Sequence, residues 1–200
     1  VDGVDFKHTG LVRKIDAMAI RRAIDTGSLV MLSPFGFSPT GEAFNLSMED
    51  VATSAAIALK ADKLIFVTEV RGILQSIVAD PARAVELEAH QHDPDEEVDQ
   101  ELALADAKRL LAALPNPSQP TDTAFYLQHG VNAAEGGVER VHIIPYRVDG
   151  ALLMEVFTHD GVGTMIVDEK LESLREATPD DVGGILQLIE PFEQDGTLVK

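Results

Sequence analysis

The chain contains no cysteine among its 200 residues. It therefore has neither a disulfide framework nor a thiol nucleophile, which suits a reducing cytoplasm. Cations are also scarce, because 16 Lys and Arg stand against 34 Asp and Glu and give a formal net charge of −18. Phosphate backbones are bound by clustered Lys and Arg, so we expect no nucleic-acid partner. The charge excess is best interpreted as favouring solubility.

Long apolar runs are absent as well, so we expect no membrane-spanning helix. The first ten residues, VDGVDFKHTG, do not have the pattern of a signal peptide. At 45% apolar and 25% charged residues, the composition is that of a globular protein with enough material for a core. The chain starts without Met, in what looks like the middle of a strand–turn unit, and we therefore expect it to be a fragment.

A stretch over residues 44–74, FNLSMEDVATSAAIALKADKLIFVTEVRGIL, combines a polar loop, a helix and a strand. Small and apolar residues recur at helical spacing after the polar positions 45–50. The run LIFV at 64–67 predicts a strand buried on both faces. In open α/β sheets, ligands bind where such a strand ends and a polar turn follows. This stretch is therefore the first place at which the sequence indicates a ligand site.

The remaining periodicities predict an α/β fold. The predicted elements are a helix over 15–24 with Asp16 as N-cap and Gly27 as C-cap, a buried strand over 28–33, helices over 101–114 and 124–134, and strands over 140–144 and 164–167. Helices that alternate with strands favour a mostly parallel sheet between helices. Residues 89–100, AHQHDPDEEVDQ, predict a solvated, mobile loop. Its His and Asp residues lack the surroundings of a metal site, and we expect no metal.

Several segments resemble the amino-acid-kinase-like domain of bacterial N-acetylglutamate synthases, a domain that itself resembles acetylglutamate kinase. They are HTGLVRKID (8–16), SPTGEAFNLS (38–47), the stretch 44–74 and DGALLMEVFTHDGVGTMIV (149–167). A further segment, LREATPDDVGGILQLIEPFEQDGTLV (174–199), resembles the opening of the GNAT-type acetyltransferase domain of the same enzymes. The resemblance implies a partial amino-acid-kinase fold over 1–168, a linker over 169–173, and the first strand and helix of a truncated acetyltransferase domain over 174–200.

The resemblance also implies what the parent protein does. Such a synthase transfers acetyl from acetyl-CoA to L-glutamate, without a covalent enzyme intermediate, in the first step of arginine biosynthesis. It implies acetyl-CoA as cosubstrate, a cytoplasmic homo-oligomer, and no membrane partner. The acetyl-CoA loop and the catalytic residues are expected beyond Lys200. We therefore expect the fragment alone to be inactive.

A candidate effector site is formed by His142, Glu155, Gly161 and Gly163. The two glycines let backbone groups approach a ligand closely, and Glu155 offers a carboxylate of the kind that pairs with a guanidinium. The spacing of thirteen residues from His142 to Glu155 and six more to Gly161 resembles the L-arginine site of arginine-inhibited acetylglutamate kinases and synthases. The resemblance implies feedback inhibition by L-arginine. The alternative is that Glu155 is an ordinary surface carboxylate and that the glycines merely turn the chain.

A second candidate is Asn45 with Glu49, which resemble a ligand loop of the kinases. The family loop reads Asn-Ile-Asn-Ala-Asp, whereas here Ser47 replaces its second Asn and Glu49 its Asp. A carboxylate moved by one methylene misplaces groups that phosphoryl transfer needs, and Lys108 lacks the Gly-rich context of a kinase lysine. We infer that kinase chemistry is lost and that this loop is vestigial or simply a helix N-terminus. Two alternatives to the synthase stay open: an acetylglutamate kinase, and a non-catalytic arginine-binding or assembly module.

Overall fold

The computed structural model describes residues 7–88, 96–115, 120–158, 161–168 and 182–184. The chain divides into two compact units, Val1–Lys170 and Leu171–Lys200. In the second unit, the described residues 182–184 are helical. The predicted linker over 169–173, the predicted strand that begins at residue 174 and most of the helix after it lie outside the described residues.

The first unit alternates helices and strands. In chain order its elements are α1 (Ala17–Asp25), β1 (Phe35–Phe37), β2 (Ala43–Asn45), α2 (Met48–Leu59), β3 (Lys63–Thr68), α3 (Gln75–Ala79), a 3₁₀ turn (Pro81–Arg83), α4 (Ala84–Glu88), β4 (Glu101–Ala103), α5 (Leu104–Ala113), α6 (Asp122–Glu135), β5 (Arg140–Pro145), α7 (Ala151–Phe157) and β6 (Thr164–Val167). Among the described residues, no helix is both long and apolar enough to cross a bilayer.

Four strands form the central sheet, in the order β3–β5–β6–β4. The β3–β5 and β4–β6 pairs are parallel, whereas β5 and β6 run antiparallel. The predicted α/β fold with a mostly parallel sheet is thus confirmed. Strand β5 is buried along nearly its whole length, and its side chains pack in the same hydrophobic core as α6 and the apolar residues of β6. The sheet therefore gives the residues of β5 a fixed frame.

Local sequence signals explain where the first helices begin and end. The Asp16 side chain accepts a hydrogen bond from the N–H of Ala19 at 3.0 Å and caps α1, as predicted. At the other end Gly27 has a φ of +80°, and the N–H groups of Gly27 and Ser28 bond the last free carbonyls of the helix. Ser47 caps α2 in the same way, through the N–H of Asp50.

The predicted buried strand over 28–33 is wrong for this structure. These residues form no regular element, and Leu29 and Met31 are 92% and 88% exposed. Helix α1 just before them buries no residue either. A strand is stable only when a neighbour takes up its hydrogen bonds, and in the described part of the chain no strand lies alongside this run. The apolar sequence is that of a strand, but the described part of the chain offers no strand that pairs with it.

Two further predictions need correction in the middle of the chain. Residues 101–103, predicted to be helical, form β4 and pair with β6, and α5 begins only at Leu104. The C-terminal end of the acidic segment 89–100 is held by backbone hydrogen bonds, so the predicted mobile loop is wrong there. Asp99 donates its N–H to Ile73 O at 2.7 Å, and Gln75 donates to Glu97 O at 2.9 Å. Residues 89–95, with His90, His92, Asp93 and Asp95, lie outside the described residues.

Candidate functional site

The site begins with a buried pair of side chains from β5 and α7. His142 lies in the middle of β5 and Glu155 lies on α7, and their side chains are only 4% and 5% exposed. The distance from His142 Nδ1 to Glu155 Oε1 is 2.8 Å. An ionised carboxylate can only accept hydrogen bonds, so the proton of this bond is carried by Nδ1. Glu155 is therefore not the surface carboxylate of the alternative interpretation.

The second carboxylate oxygen of Glu155 is bound by a short loop at residues 161–164, which we call the glycine loop. The backbone N–H groups of Val162 and Gly163 donate to Oε2 at 2.9 and 3.4 Å. Burial by itself raises the pKa of Glu155, but the hydrogen bonds from His142, Val162 and Gly163 outweigh it, so the pKa lies below its ordinary value. The site therefore holds a carboxylate that stays ionised although it is buried.

Both glycines of the loop are required by space. A Cβ atom at Gly161 would lie 2.9 Å from the Glu155 carboxylate carbon, and one at Gly163 would lie 2.9 Å from Ile144 Cγ2 and overlap the carbonyl oxygen of Ile143. A larger residue would displace the Glu155 carboxylate at position 161 and would push the loop away from β5 at position 163. The structure thus brings His142, Glu155, Gly161 and Gly163 together.

One polar atom at this site has no partner within the part of the chain that the structure describes. His142 Nε2 is buried and makes no hydrogen bond there. With the proton on Nδ1, Nε2 is a lone-pair acceptor when the imidazole is neutral. A buried acceptor without a donor is costly, and an N–H group of a ligand would satisfy it. The pair therefore combines a negative charge with an open acceptor, which favours a cationic N–H donor.

The low pKa of Glu155 gives a prediction about acid stability. A carboxyl whose pKa is lower in the folded state contributes stability that is complete above the unfolded pKa and is lost as pH falls through the folded pKa. We expect the difference in unfolding free energy between wild type and Glu155→Gln to shrink between about pH 5 and about pH 3. Urea unfolding of both proteins at each pH would measure it. A difference that stays constant over this range would contradict the prediction.

The kinase-like loop does not assemble a comparable site. Ser47 donates its hydroxyl proton to Glu49 Oε2 at 2.7 Å while it caps α2, so Glu49 is bound within its own helix turn. Asn45 lies in β2 and is exposed. Lys108 forms an ion pair with Glu135 at 2.5 Å. The arrangement is that of a helix N-terminus with acidic residues, the simpler of the two interpretations.

Carboxylates also lie at the start of α2, at the start of α6 and directly after the end of β3. Burial raises the pKa of the Tyr126 hydroxyl, and three nearby carboxylates raise it further, those of Glu49, Asp122 and Glu69. Glu49 and Asp122 stand in the first turns of α2 and α6. Phosphates bind well at helix N-termini that are free of other anions. Carboxylates at both helix starts therefore disfavour a nucleotide phosphate there. Among the described residues, no group of three His, Asp or Glu could hold a metal ion.

The sequence did not show which groups of this turn hold Glu155 and the loop in place. The N–H of Val162 contributes a backbone hydrogen bond, which any residue type except proline can supply, so no sequence signal identifies it. Thr164 is buried, and its hydroxyl joins two distant segments. A polar residue at the start of an apolar strand, directly after a glycine, was the signal available for Thr164.

Comparison with known proteins places the chain in a family. Its sequence matches the amino acid kinase family over residues 1–145. An amino-acid acetyltransferase of Ralstonia nicotianae is 55% identical over the whole chain, which spans 40% of that protein. A Neisseria gonorrhoeae N-acetylglutamate synthase, solved with coenzyme A and L-arginine, superposes over 96% of the chain and 40% of its own with a TM-score of 0.71 at 34% identity. The same enzyme, solved with coenzyme A and N-acetyl-glutamate, superposes with a TM-score of 0.67 at 35% identity. This match covers 98% of this chain and 41% of the synthase chain.

These matches confirm the predicted likeness to bacterial N-acetylglutamate synthases and to the amino-acid-kinase fold. The chain spans about two fifths of the length of these relatives. With most of its residues inside the family match and its sheet in the predicted arrangement, the chain belongs to the amino acid kinase family.

Proposed function

We propose that these residues are the effector-binding part of an N-acetylglutamate synthase. The parent enzyme transfers acetyl from acetyl-CoA to L-glutamate in the first step of arginine biosynthesis, in the cytoplasm. The proposal is supported by the amino-acid acetyltransferase that is 55% identical over the whole chain, and by the likeness to a synthase solved with coenzyme A. The residues that perform the transfer lie outside this stretch, which on its own is inactive.

The ligand of the described site is L-arginine. The observation that carries this assignment is the buried, ionised Glu155, held by His142 beside the two glycines. A guanidinium is permanently charged and presents a planar fork of N–H donors, which matches a carboxylate and the open acceptor at His142 Nε2. The similar synthase from Neisseria gonorrhoeae was solved with L-arginine bound. Glu155 thus supplies the charge, and the glycines keep backbone groups within reach of the ligand.

Binding at this site uses a carboxylate that the glycine loop already holds. Glu155 accepts three hydrogen bonds from His142, Val162 and Gly163, out of about four that a carboxylate can accept. A guanidinium that binds Glu155 therefore shares the carboxylate with the loop N–H groups, whose positions fix where the ligand can bind. L-Arginine inhibits only if it binds the less active arrangement of the enzyme more tightly.

The domain layout belongs to the same proposal. Residues 1–168 form the kinase-like part, 169–173 the linker, and 174–200 the start of the acetyltransferase domain. The linker follows the glycine loop and β6 directly in sequence. The parent acts as a homo-oligomer, with acetyl-CoA as its cosubstrate.

The kinase alternative is disfavoured by particular contacts. Glu49 is bound by Ser47, and Lys108 by Glu135. Carboxylates at the starts of α2 and α6 repel nucleotide phosphates. The arginine-binding module without catalysis differs from the synthase only in the parent protein, and assays of that protein separate the two.

The test uses the full-length protein. Acetyl transfer from acetyl-CoA to L-glutamate is measured with and without L-arginine, and L-arginine binding is measured by calorimetry. We expect acetyl transfer, a stoichiometric arginine site and inhibition when that site fills. Arginine binding without acetyl transfer would support the non-catalytic module instead. Phosphorylation of N-acetylglutamate from ATP would restore the kinase, and the absence of arginine binding would remove the effector assignment.

A further inference from the structure

Thr164 joins three segments of the first unit through one hydroxyl group. This residue is fully buried at the start of β6. Its Oγ1 accepts a hydrogen bond from the N–H of Ile73 at 2.7 Å and donates one to the carbonyl oxygen of Asp99 at 2.6 Å. The Asp99 N–H in turn donates to Ile73 O at 2.7 Å. A closed set of short bonds therefore ties β6 to two loop segments that are distant in sequence.

The same residue completes the glycine loop. Its neighbours Val162 and Gly163 donate their N–H groups to Glu155, so the loop is bound to the carboxylate on one side and to Ile73 and Asp99 on the other. The Thr164 hydroxyl is closely packed, because a Cβ atom at Gly72 would lie 2.8 Å from Thr164 Oγ1. The hydroxyl thus has both its partners fixed and cannot turn freely.

We propose that Thr164 is a positioning residue of the effector site: its hydroxyl fixes the glycine loop so that the N–H groups of Val162 and Gly163 face Glu155. This inference rests on the proposed function, because it assigns the residue to L-arginine binding. Thr164 does not contact the carboxylate itself. It acts through the loop backbone, and when its hydroxyl is lost the loop no longer holds the geometry that binds the ligand.

The test compares Thr164→Val with Thr164→Ser and Thr68→Val in the full-length protein. Valine keeps the volume but leaves the Ile73 N–H and Asp99 carbonyl without partners, whereas serine keeps the hydroxyl. Thr68 is a matched control, since it is 3% exposed and, among the described residues, its hydroxyl donates to the nearby Val70 O at 3.0 Å. Two quantities are measured: hydrogen exchange of the Val162 and Gly163 amides, and the calorimetric Kd for L-arginine.

We expect faster amide exchange and about tenfold or more weaker arginine binding in Thr164→Val, with Thr164→Ser within about threefold of wild type. Thr68→Val should lose as much thermal stability as Thr164→Val, but it should change neither the exchange of the two loop amides nor the Kd for L-arginine. Unchanged exchange in Thr164→Val, or an equal change in the Thr68 control, would overturn the inference. If the valine variant does not fold, Thr164→Cys, a weak hydrogen-bonding isostere, replaces it with the same expectations.

The design separates this inference from the proposed function. If the wild type does not bind L-arginine, the effector assignment fails and the role of Thr164 in it fails as well. If the wild type binds and Thr164→Val binds equally well, only the role of Thr164 fails. The exchange of the two loop amides is read without any ligand, so it tests the positioning directly in both cases.

Discussion

Glu155→Gln is expected to weaken L-arginine binding to the full-length protein by about 100-fold or more. The amide has the same shape as the carboxylate but no charge, and its NH₂ group cannot accept hydrogen bonds. A hydrogen bond to a charged group is worth about 1.5–3 kcal/mol, and a guanidinium forms two with a carboxylate. The substitution also leaves either His142 or the N–H groups of the glycine loop without an acceptor. Both effects act in the same direction.

A matched control for this prediction is Glu69→Gln. Glu69 also accepts a hydrogen bond, from the Tyr146 hydroxyl at 3.0 Å, and also lies near a cation, Arg147, but its side chain is 66% exposed. Calorimetric titration with L-arginine should give the wild-type Kd for this variant. If Glu155→Gln binds L-arginine as tightly as wild type, Glu155 is a structural carboxylate that only holds the glycine loop.

The parts of the fold that were predictable from sequence are those that local chemistry determines. Helix α1 begins at a residue after an Asp cap and ends before a glycine at positive φ, and both signals are visible in the sequence. Strand β4 was mistaken for part of a helix because its hydrogen bonds come from β6, far along the chain. Residues 28–33 have the apolar pattern of a strand, but a pattern cannot show whether a partner strand is present. Long-range pairing overrode local preference at β4, whereas at residues 28–33 no described strand provides the pairing that the local preference needs.

The candidate site shows the same division. The resemblance carried by the spacing of His142, Glu155 and Gly161 implied that they share a site, and the structure places the three residues close together. It could not predict that the carboxylate is buried and ionised, because that depends on backbone N–H groups which most residue types supply equally. Nor could it predict the hydrogen bonds of Thr164, whose partners Ile73 and Asp99 lie 91 and 65 residues away in the sequence. A residue type shows that a side chain could bind a ligand, whereas the partners of that side chain determine its charge and its position.

Gly163→Ala is expected to destabilise the full-length protein by about 3 kcal/mol and to abolish high-affinity L-arginine binding. The new Cβ atom would overlap the carbonyl oxygen of Ile143 and lie 2.9 Å from Ile144 Cγ2. Ile143 belongs to the central strand β5 and is completely buried, so the backbone there cannot yield. The strain must therefore displace the glycine loop, and with it the N–H group that Gly163 donates to Glu155. Urea unfolding and calorimetry measure the two effects.

Two other glycines show why the cost should depend on the neighbour rather than on glycine itself. A Cβ atom at Gly184 would meet none of the described residues within 4 Å, so Gly184→Ala should leave stability unchanged or raise it slightly. At Gly161 the obstacle is the end of the Glu155 side chain, which can move by rotating, so Gly161→Ala should cost less stability than Gly163→Ala while it still weakens arginine binding. If Gly163→Ala were as stable as Gly184→Ala, the glycine loop could not be held against β5 as described. The close approach of loop and strand, rather than backbone freedom, is therefore what requires a glycine at position 163.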